Sequence, residues 1–160
     1  MISARETVGD RVKDTPLLAT ASLSRLTGTT LFLRAENLQR TGSFKVRGAL
    51  NRLAHLTPDE KTKGVVAASA GNHGQAVAWA AQQLGAPCTV VMPVGASVTK
   101  IAATRGYGAT VTLVGEAFDD AMAAAKHLCA ESGQLLVHAF DDPLVIAGQG
   151  TIGLELLEAA

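Results

Sequence analysis

From Gly64 onward the chain alternates short apolar, mostly β-branched runs with longer amphipathic, Ala-rich stretches, and this rhythm limits the fold more than any other feature. Val65-Val66-Ala67-Ala68, Thr89-Val90-Val91-Met92, Thr110-Val111-Thr112-Leu113-Val114 and Leu135-Leu136-Val137 read as strands, the second ended by Pro93. Between them, helices are expected over 72–84, closed by Gly85; over 97–105, capped by Ser97 and stopped by Gly106 and Gly108; and over 116–132. A helix between two strands carries the chain back along the sheet, so consecutive strands run parallel. The pattern therefore predicts an α/β fold built on a small parallel sheet.

The segment before Gly64 is less regular. A short helix is expected over 22–26, ended by Gly28, and a strand over 30–34. Residues 44–55 read as a helix, because Val46, Ala49, Leu50 and Leu53 form one apolar stripe at helical spacing. Thr57-Pro58-Asp59-Glu60 has the composition of a helix start, with Thr57 as cap, Pro58 in the first turn and Glu60 reaching back to the cap. Residues 149–160 read as a largely apolar helix carrying Ile152, Leu154, Leu156 and Leu157. Such a helix needs a surface to pack on, so the chain is expected to be cut from a longer one and prone to association.

Composition narrows the function classes. A length of 160 residues, 48% apolar and 18% charged, is that of a folded domain. Fourteen basic against fourteen acidic residues, with 4% aromatic content, offer no footprint for nucleic acid or an anionic membrane. No apolar run approaches the ~18 residues of a membrane span, and the charged start with Arg5, Glu6, Asp10 and Arg11 is not that of a signal peptide. Cys88 and Cys129 form no CxxC or Cys/His cluster, so reduced thiols, a cytoplasmic protein and no metal site are expected.

Two motifs carry chemistry. In Gly42-Ser43-Phe44-Lys45-Val46-Arg47-Gly48-Ala49, Lys45 falls in the expected first turn of a helix, with Ser43 or Thr41 available as cap. The helix dipole and the apolar neighbours Phe44 and Val46 both disfavour its charge, and an amine that loses its proton readily can form a Schiff base with an aldehyde. In Ser69-Ala70-Gly71-Asn72-His73-Gly74, a strand passes through Gly71 into a helix. The first N–H groups of that helix are a receptor for a phosphate or carboxylate, whereas the plainer alternative is a strand-to-helix turn capped by Asn72. His73 is expected to be a hydrogen-bonding or exposed residue rather than a catalytic one. Gly148-Gln149-Gly150-Thr151-Ile152-Gly153 spells the GxGxxG dinucleotide fingerprint, but Asp141-Asp142-Pro143 before it reads as a loop rather than a strand. The match is therefore not taken as a nucleotide site.

Taken in order, Thr15-Pro16-Leu17, Glu36-Asn37-Leu38-Gln39, the Lys45 motif, the 69–75 motif and Ile146-Ala147-Gly148-Gln149-Gly150-Thr151 resemble the threonine dehydratases. These fold-type-II pyridoxal-phosphate enzymes also include serine racemase. The resemblance implies pyridoxal 5'-phosphate held on Lys45, with Phe44 packing by its ring and Asn72 bonding the cofactor's 3-hydroxyl. The loop of Ser69, Ala70, Gly71, Asn72 and His73 would hold the carboxylate of a small amino-acid substrate. Lys45, freed from the cofactor, would remove the α-proton, and loss of the β-hydroxyl would turn L-threonine or L-serine into 2-oxobutanoate or pyruvate with ammonia. Isoleucine biosynthesis is one setting for such an enzyme. Cysteine synthases resemble Ser-Val-Lys-Asp-Arg and Thr-Ser-Gly-Asn-Thr-Gly patterns, which are absent here. Serine racemases usually carry a second serine where this chain has Ala70, so dehydration is expected over racemisation. The resemblance also implies a small α/β domain of three layers over 64–140, and over 1–63 and 141–160 the amino-terminal part of an incomplete larger cofactor domain. The expected partners are further copies of the chain or a missing carboxy-terminal half, which would bring the glycine-rich phosphate loop and the acidic ligands of a divalent cation.

Overall fold

The structure, a computed structural model, describes residues 1–159; Ala160, the last residue of the expected terminal helix, lies outside the described residues. Helix α1 (Ile2–Val8) opens the chain and buries Ala4 and Val8. Strands β1 (Leu17–Ala19) and β2 (Phe32–Arg34) pair antiparallel around helix α2 (Ala21–Thr27). Thr20 caps α2 through the Leu23 N–H, and Gly28 closes it at φ 70°, a left-handed conformation that glycine adopts without a Cβ clash. Helices α3 (Lys45–Ala54) and α4 (Pro58–Lys63) follow, and α4 starts on the expected capping box of Thr57 and Glu60. Then come β3 (Val65–Ala68), α5 (Asn72–Leu84), β4 (Cys88–Met92), α6 (Val98–Gly106), β5 (Thr110–Leu113), α7 (Phe118–Ser132) and β6 (Leu135–Leu136). Helices α8 (Pro143–Gln149) and α9 (Thr151–Ala159) end the described chain.

The four strands β3 to β6 form one parallel sheet in the order β5-β4-β3-β6. Central β3 is buried along its whole length, because successive side chains enter opposite layers. Val65 and Ala67, with Val90 and Met92 of β4, join the core made by α5 and α3. Val66, Ala68 and Val91 face the other way, onto Ala121 and Ala125 of α7. The first core continues without a break through Val46, Ala49, Leu50 and Leu53 of α3 to Val145 of α8. The expected α/β fold with a three-layer parallel sheet is the one observed. At the top of β3, a Cβ on Gly74 would stand 2.8 Å from the Ser69 carbonyl oxygen and 2.9 Å from a Val90 methyl. Glycine there lets the first turn of α5 press onto the strand end, which sets the position of the intervening turn.

Residues 141–143 are not simply a loop: Asp142 caps α8, its carboxylate accepting from the Leu144 and Val145 N–H groups at 2.8 and 3.1 Å, with Pro143 at the first helical position. Ser97 precedes α6 but makes no side-chain cap bond. Helix α7 starts at Phe118 rather than 116, because the Asp120 carboxylate draws in the Glu116 and Ala117 N–H groups ahead of it, both at 3.0 Å. The terminal helix starts at Thr151 rather than 149 and leaves Leu157 78% exposed. Among the described residues no helix is long and apolar enough to cross a membrane.

Candidate active site

Lys45 is the first residue of α3, and the chain reaches it through two left-handed residues, Thr41 (φ 58°) and Gly42 (φ 73°). Thr41 is the sole non-glycine residue with positive φ among the described residues, a strained state for a β-branched side chain. Its buried hydroxyl has no hydrogen-bond partner, so Thr41 is not the cap. Phe44 occupies the cap position and no side chain caps the helix, although the Ser43 Oγ accepts from the Lys45 N–H at 3.4 Å. The Lys45 side chain is half-buried; its Nζ donates to the Ala139 carbonyl at 2.8 Å and lies 5.3 Å from the Phe44 ring centre. Burial lowers the pKa of this amine. No carboxylate pairs with it among the described residues. A partly desolvated amine held by a neutral acceptor is suited to attack an aldehyde.

The 69–73 turn joins β3 to α5. Ser69 donates its N–H to the Val91 carbonyl at 3.0 Å, and its Oγ accepts from the Gly71 N–H at 3.1 Å. Gly71, not Asn72, occupies the cap position of α5. The N–H groups of Asn72, His73 and Gly74 find no acceptor among the described residues, which leaves them available to an anion. Ala70 is partly exposed at the turn, and the Asn72 side chain is exposed. His73 is buried, and its Nε2 lies 2.9 Å from the Val137 carbonyl. Burial, only partly offset by that bond, pushes its pKa down to about 4, with Lys45 and His138 adding to the effect, so the ring is neutral at pH 7. The neutral ring donates through Nε2, which leaves buried Nδ1 without a partner.

One short segment draws the two motifs together. Val137 receives His73 and Ala139 receives Lys45, so both side chains are fastened to the chain just beyond β6. Within that segment His138 Nδ1 accepts from the Asp141 N–H at 2.8 Å, and its ring meets Phe140 edge-on at 4.6 Å. Phe44 is 40% exposed, at the edge of this group rather than inside it.

The GxGxxG letters have a packing role. A Cβ on Gly148 would lie 2.5 Å from the Arg47 carbonyl oxygen and 2.7 Å from Gly48 Cα, so α8 crosses α3 glycine to glycine. Gln149 Oε1 accepts from the Gly48 N–H at 3.1 Å, and the Thr151 hydroxyl lies 3.1 Å from Arg47 Nη1. Arg47, fully buried, has no counterpart in the motif-based expectations. Its guanidinium donates to Glu36 at 2.8 and 2.9 Å and to Glu155 at 2.6 and 3.0 Å, while Arg34 joins both carboxylates. Burial alone would raise the Glu36 carboxyl, but hydrogen bonds from Arg47 and Thr15 and the charges of Arg47 and Arg34 hold it below the usual range. This network binds Arg47, two residues after Lys45, to α9 and to the 36–38 turn, and so stiffens the start of α3.

The chain is similar in sequence and in fold to known proteins. A family model described as pyridoxal-phosphate dependent enzyme matches residues 8–160. An L-threonine ammonia-lyase of Thermotoga maritima is 53% identical over 155 residues, which is 97% of this chain and 39% of that protein. Among solved structures, the processed form of threonine deaminase isoform 2 from Solanum lycopersicum superposes with a TM-score of 0.93 at 40% identity, over 99% of this chain and 44% of its own. Serine racemase from Dictyostelium discoideum gives a TM-score of 0.91 at 41% identity, over 99% of this chain and 52% of its own. The chain thus spans about two-fifths of the length of the curated relative, 39%. With the motif order, the parallel α/β sheet and this agreement together, the chain belongs to the family of pyridoxal-phosphate dependent enzymes.

Proposed function

We propose that the chain is part of an enzyme that dehydrates and deaminates L-threonine, and L-serine, releasing 2-oxobutanoate or pyruvate and ammonia. The observation that carries this reading is the Lys45 amine, its pKa lowered by burial, fastened to the same segment as the 69–73 turn with its free N–H groups. The name borne by the 53% identical Thermotoga maritima protein supports the substrate.

Pyridoxal phosphate, when bound, supplies an aldehyde and an electron sink that eases loss of the α-proton. Lys45 would hold it, with Phe44 beside it and the exposed Asn72 side chain free to reach a ring hydroxyl. The 69–73 turn receives the substrate carboxylate on its N–H groups and so fixes which face of the Cα points at Lys45. The Lys45 Nζ would be the base that takes the α-proton, and burial, by lowering its pKa, favours the unprotonated amine that this role needs. Residues 1–63 and 141–160 belong on this reading to the larger cofactor domain and 64–140 to the smaller one. The protein works in the cytoplasm, joined to the rest of the enzyme or to further copies.

Ala70 argues against racemisation, since it has no hydroxyl to return a proton to the opposite face. Sustained D-serine formation from L-serine would overturn that choice. The reaction itself is tested by adding L-threonine and pyridoxal phosphate to the chain and following 2-oxo acid. Release that disappears in Lys45→Ala supports the proposal. A Lys45-dependent visible absorption band without any oxo acid would favour a non-catalytic binding module instead.

A further inference from the structure

The same turn is overlooked by a second lysine. The Nζ of Lys100 lies 3.8 Å from the point where a Cβ on Gly71 would stand, and the Ser69 Oγ lies 4.0 Å from that point. A side chain at position 71 would therefore meet the ammonium, and glycine keeps the space between them open. Lys100 belongs to the first turn of α6, which carries no acidic residue, and it faces the start of α5, which carries none either. Both helix ends are partly positive. Among the described residues the Lys100 ammonium has neither a carboxylate partner nor a hydrogen bond. It is also half-buried, which weakens the water screening that would otherwise make such a position harmless. An anion placed among them would be stabilised by the ammonium and by both helix ends. Neutral His73 in the same turn does nothing to offset the charge.

We propose that Lys100 is a specificity-determining residue that selects ligands with a free carboxylate at the 69–73 turn. The inference rests on the carboxylate reading of that turn and deepens it. One carboxylate oxygen would take the N–H groups at the start of α5, and the other would face the Lys100 ammonium, a charge-assisted contact. An amino-acid amide keeps the amine but offers no negative charge to Lys100, so it is rejected.

The test needs no turnover. Amide NMR shifts of Gly71, Asn72 and His73 are followed in the chain as L-threonine, L-threoninamide or inorganic phosphate is added, for the unaltered protein, Lys100→Met and Lys100→Arg. The expected result is saturable L-threonine binding that weakens about tenfold in Lys100→Met, is largely recovered in Lys100→Arg, and is matched in no variant by L-threoninamide. The rest of the spectrum reports whether each variant is folded. Equal L-threonine affinity in the unaltered protein and Lys100→Met would overturn the role of Lys100 while leaving the turn's role standing. No L-threonine shift at the turn in the unaltered protein would overturn both. Phosphate bound more tightly than L-threonine, and weakened by Lys100→Met, would make the site a phosphate cradle and overturn the carboxylate assignment.

Discussion

Acidification should unfold this chain through His73 before its carboxylates matter. His73 is 4% exposed, and its pKa is pushed down to about 4 from the ordinary 6.5. Burial is the largest cause; the bond to the Val137 carbonyl opposes it, and the charges of Lys45 and His138 reinforce it. Below pH 6.5 the unfolded chain therefore binds a proton at this side chain that the folded chain refuses until about pH 4. A depressed folded pKa means that the stabilisation is complete above the unfolded value and is lost as pH falls. At ~1.36 kcal/mol per pH unit, the interval from 6.5 to about 4 amounts to about 3 kcal/mol. That is a large share of the ~5–15 kcal/mol that holds a domain folded. Glu36 acts in a different window, since a lowered carboxyl loses its contribution only once pH falls below the usual 4.5. Urea unfolding from about pH 7 to about pH 4.5 would read this out, comparing the unaltered chain with His73→Gln, whose amide can still donate to Val137. The unaltered chain should lose ~1 kcal/mol more than the variant for each pH unit below about 6. Parallel curves would mean that the buried ring accepts a proton at no cost, contrary to its lowered pKa.

Other consequences concern packing. Arg47→Met removes the guanidinium from between Glu36 and Glu155 and should cost about 3 kcal/mol in urea unfolding, since breaking a buried ion network leaves charge uncompensated. A loss under ~1 kcal/mol would show that Arg34 alone neutralises both carboxylates. Gly148→Ala should destabilise by about 1 kcal/mol or more, because its Cβ would stand 2.5 Å from the Arg47 carbonyl oxygen. Gly153→Ala, with nothing within 4 Å of its Cβ, should instead stabilise α9 by up to about 1 kcal/mol in the same assay. Equal effects at the two positions would contradict the glycine contact between α3 and α8.

The sheet was legible because its strands are apolar runs bounded by glycine or proline, as at Gly64 and Pro93, with amphipathic helices between them. Elements with little apolar signal were not. Helix α1 buries only Ala4 and Val8, and β1 is three residues long, too short for alternation to register. Asp142-Pro143 shows how one dipeptide serves two purposes: it reads as a turn, yet asparagine-like capping by Asp142 and the preset φ of Pro143 start a helix. At the site, Lys45 and the 69–73 turn stand out because glycine, lysine and cap residues have local meanings. The Arg47 network does not, since Glu36 and Glu155 are 119 positions apart (155 less 36) and a charged residue usually reads as surface. Lys100 was hidden for the same reason: only the packing of α6 on α5 brings it over Gly71. The left-handed Thr41 had no sequence signal either, because threonine seldom adopts that conformation.

On the proposed function, Lys45 is the amine that takes the aldehyde. Treating the chain with a small molar excess of pyridoxal phosphate, reducing with borohydride and mapping the labelled peptides measures this directly. Exposure alone would favour Lys13, Lys61, Lys63 and Lys126, all exposed, over half-buried Lys45. The lowered pKa of Lys45 predicts the opposite order, with the pyridoxyl label concentrated on Lys45 and lost from that peptide in Lys45→Ala. Label spread over the exposed lysines with Lys45 unmodified would show that Lys45 is not the amine that takes the aldehyde.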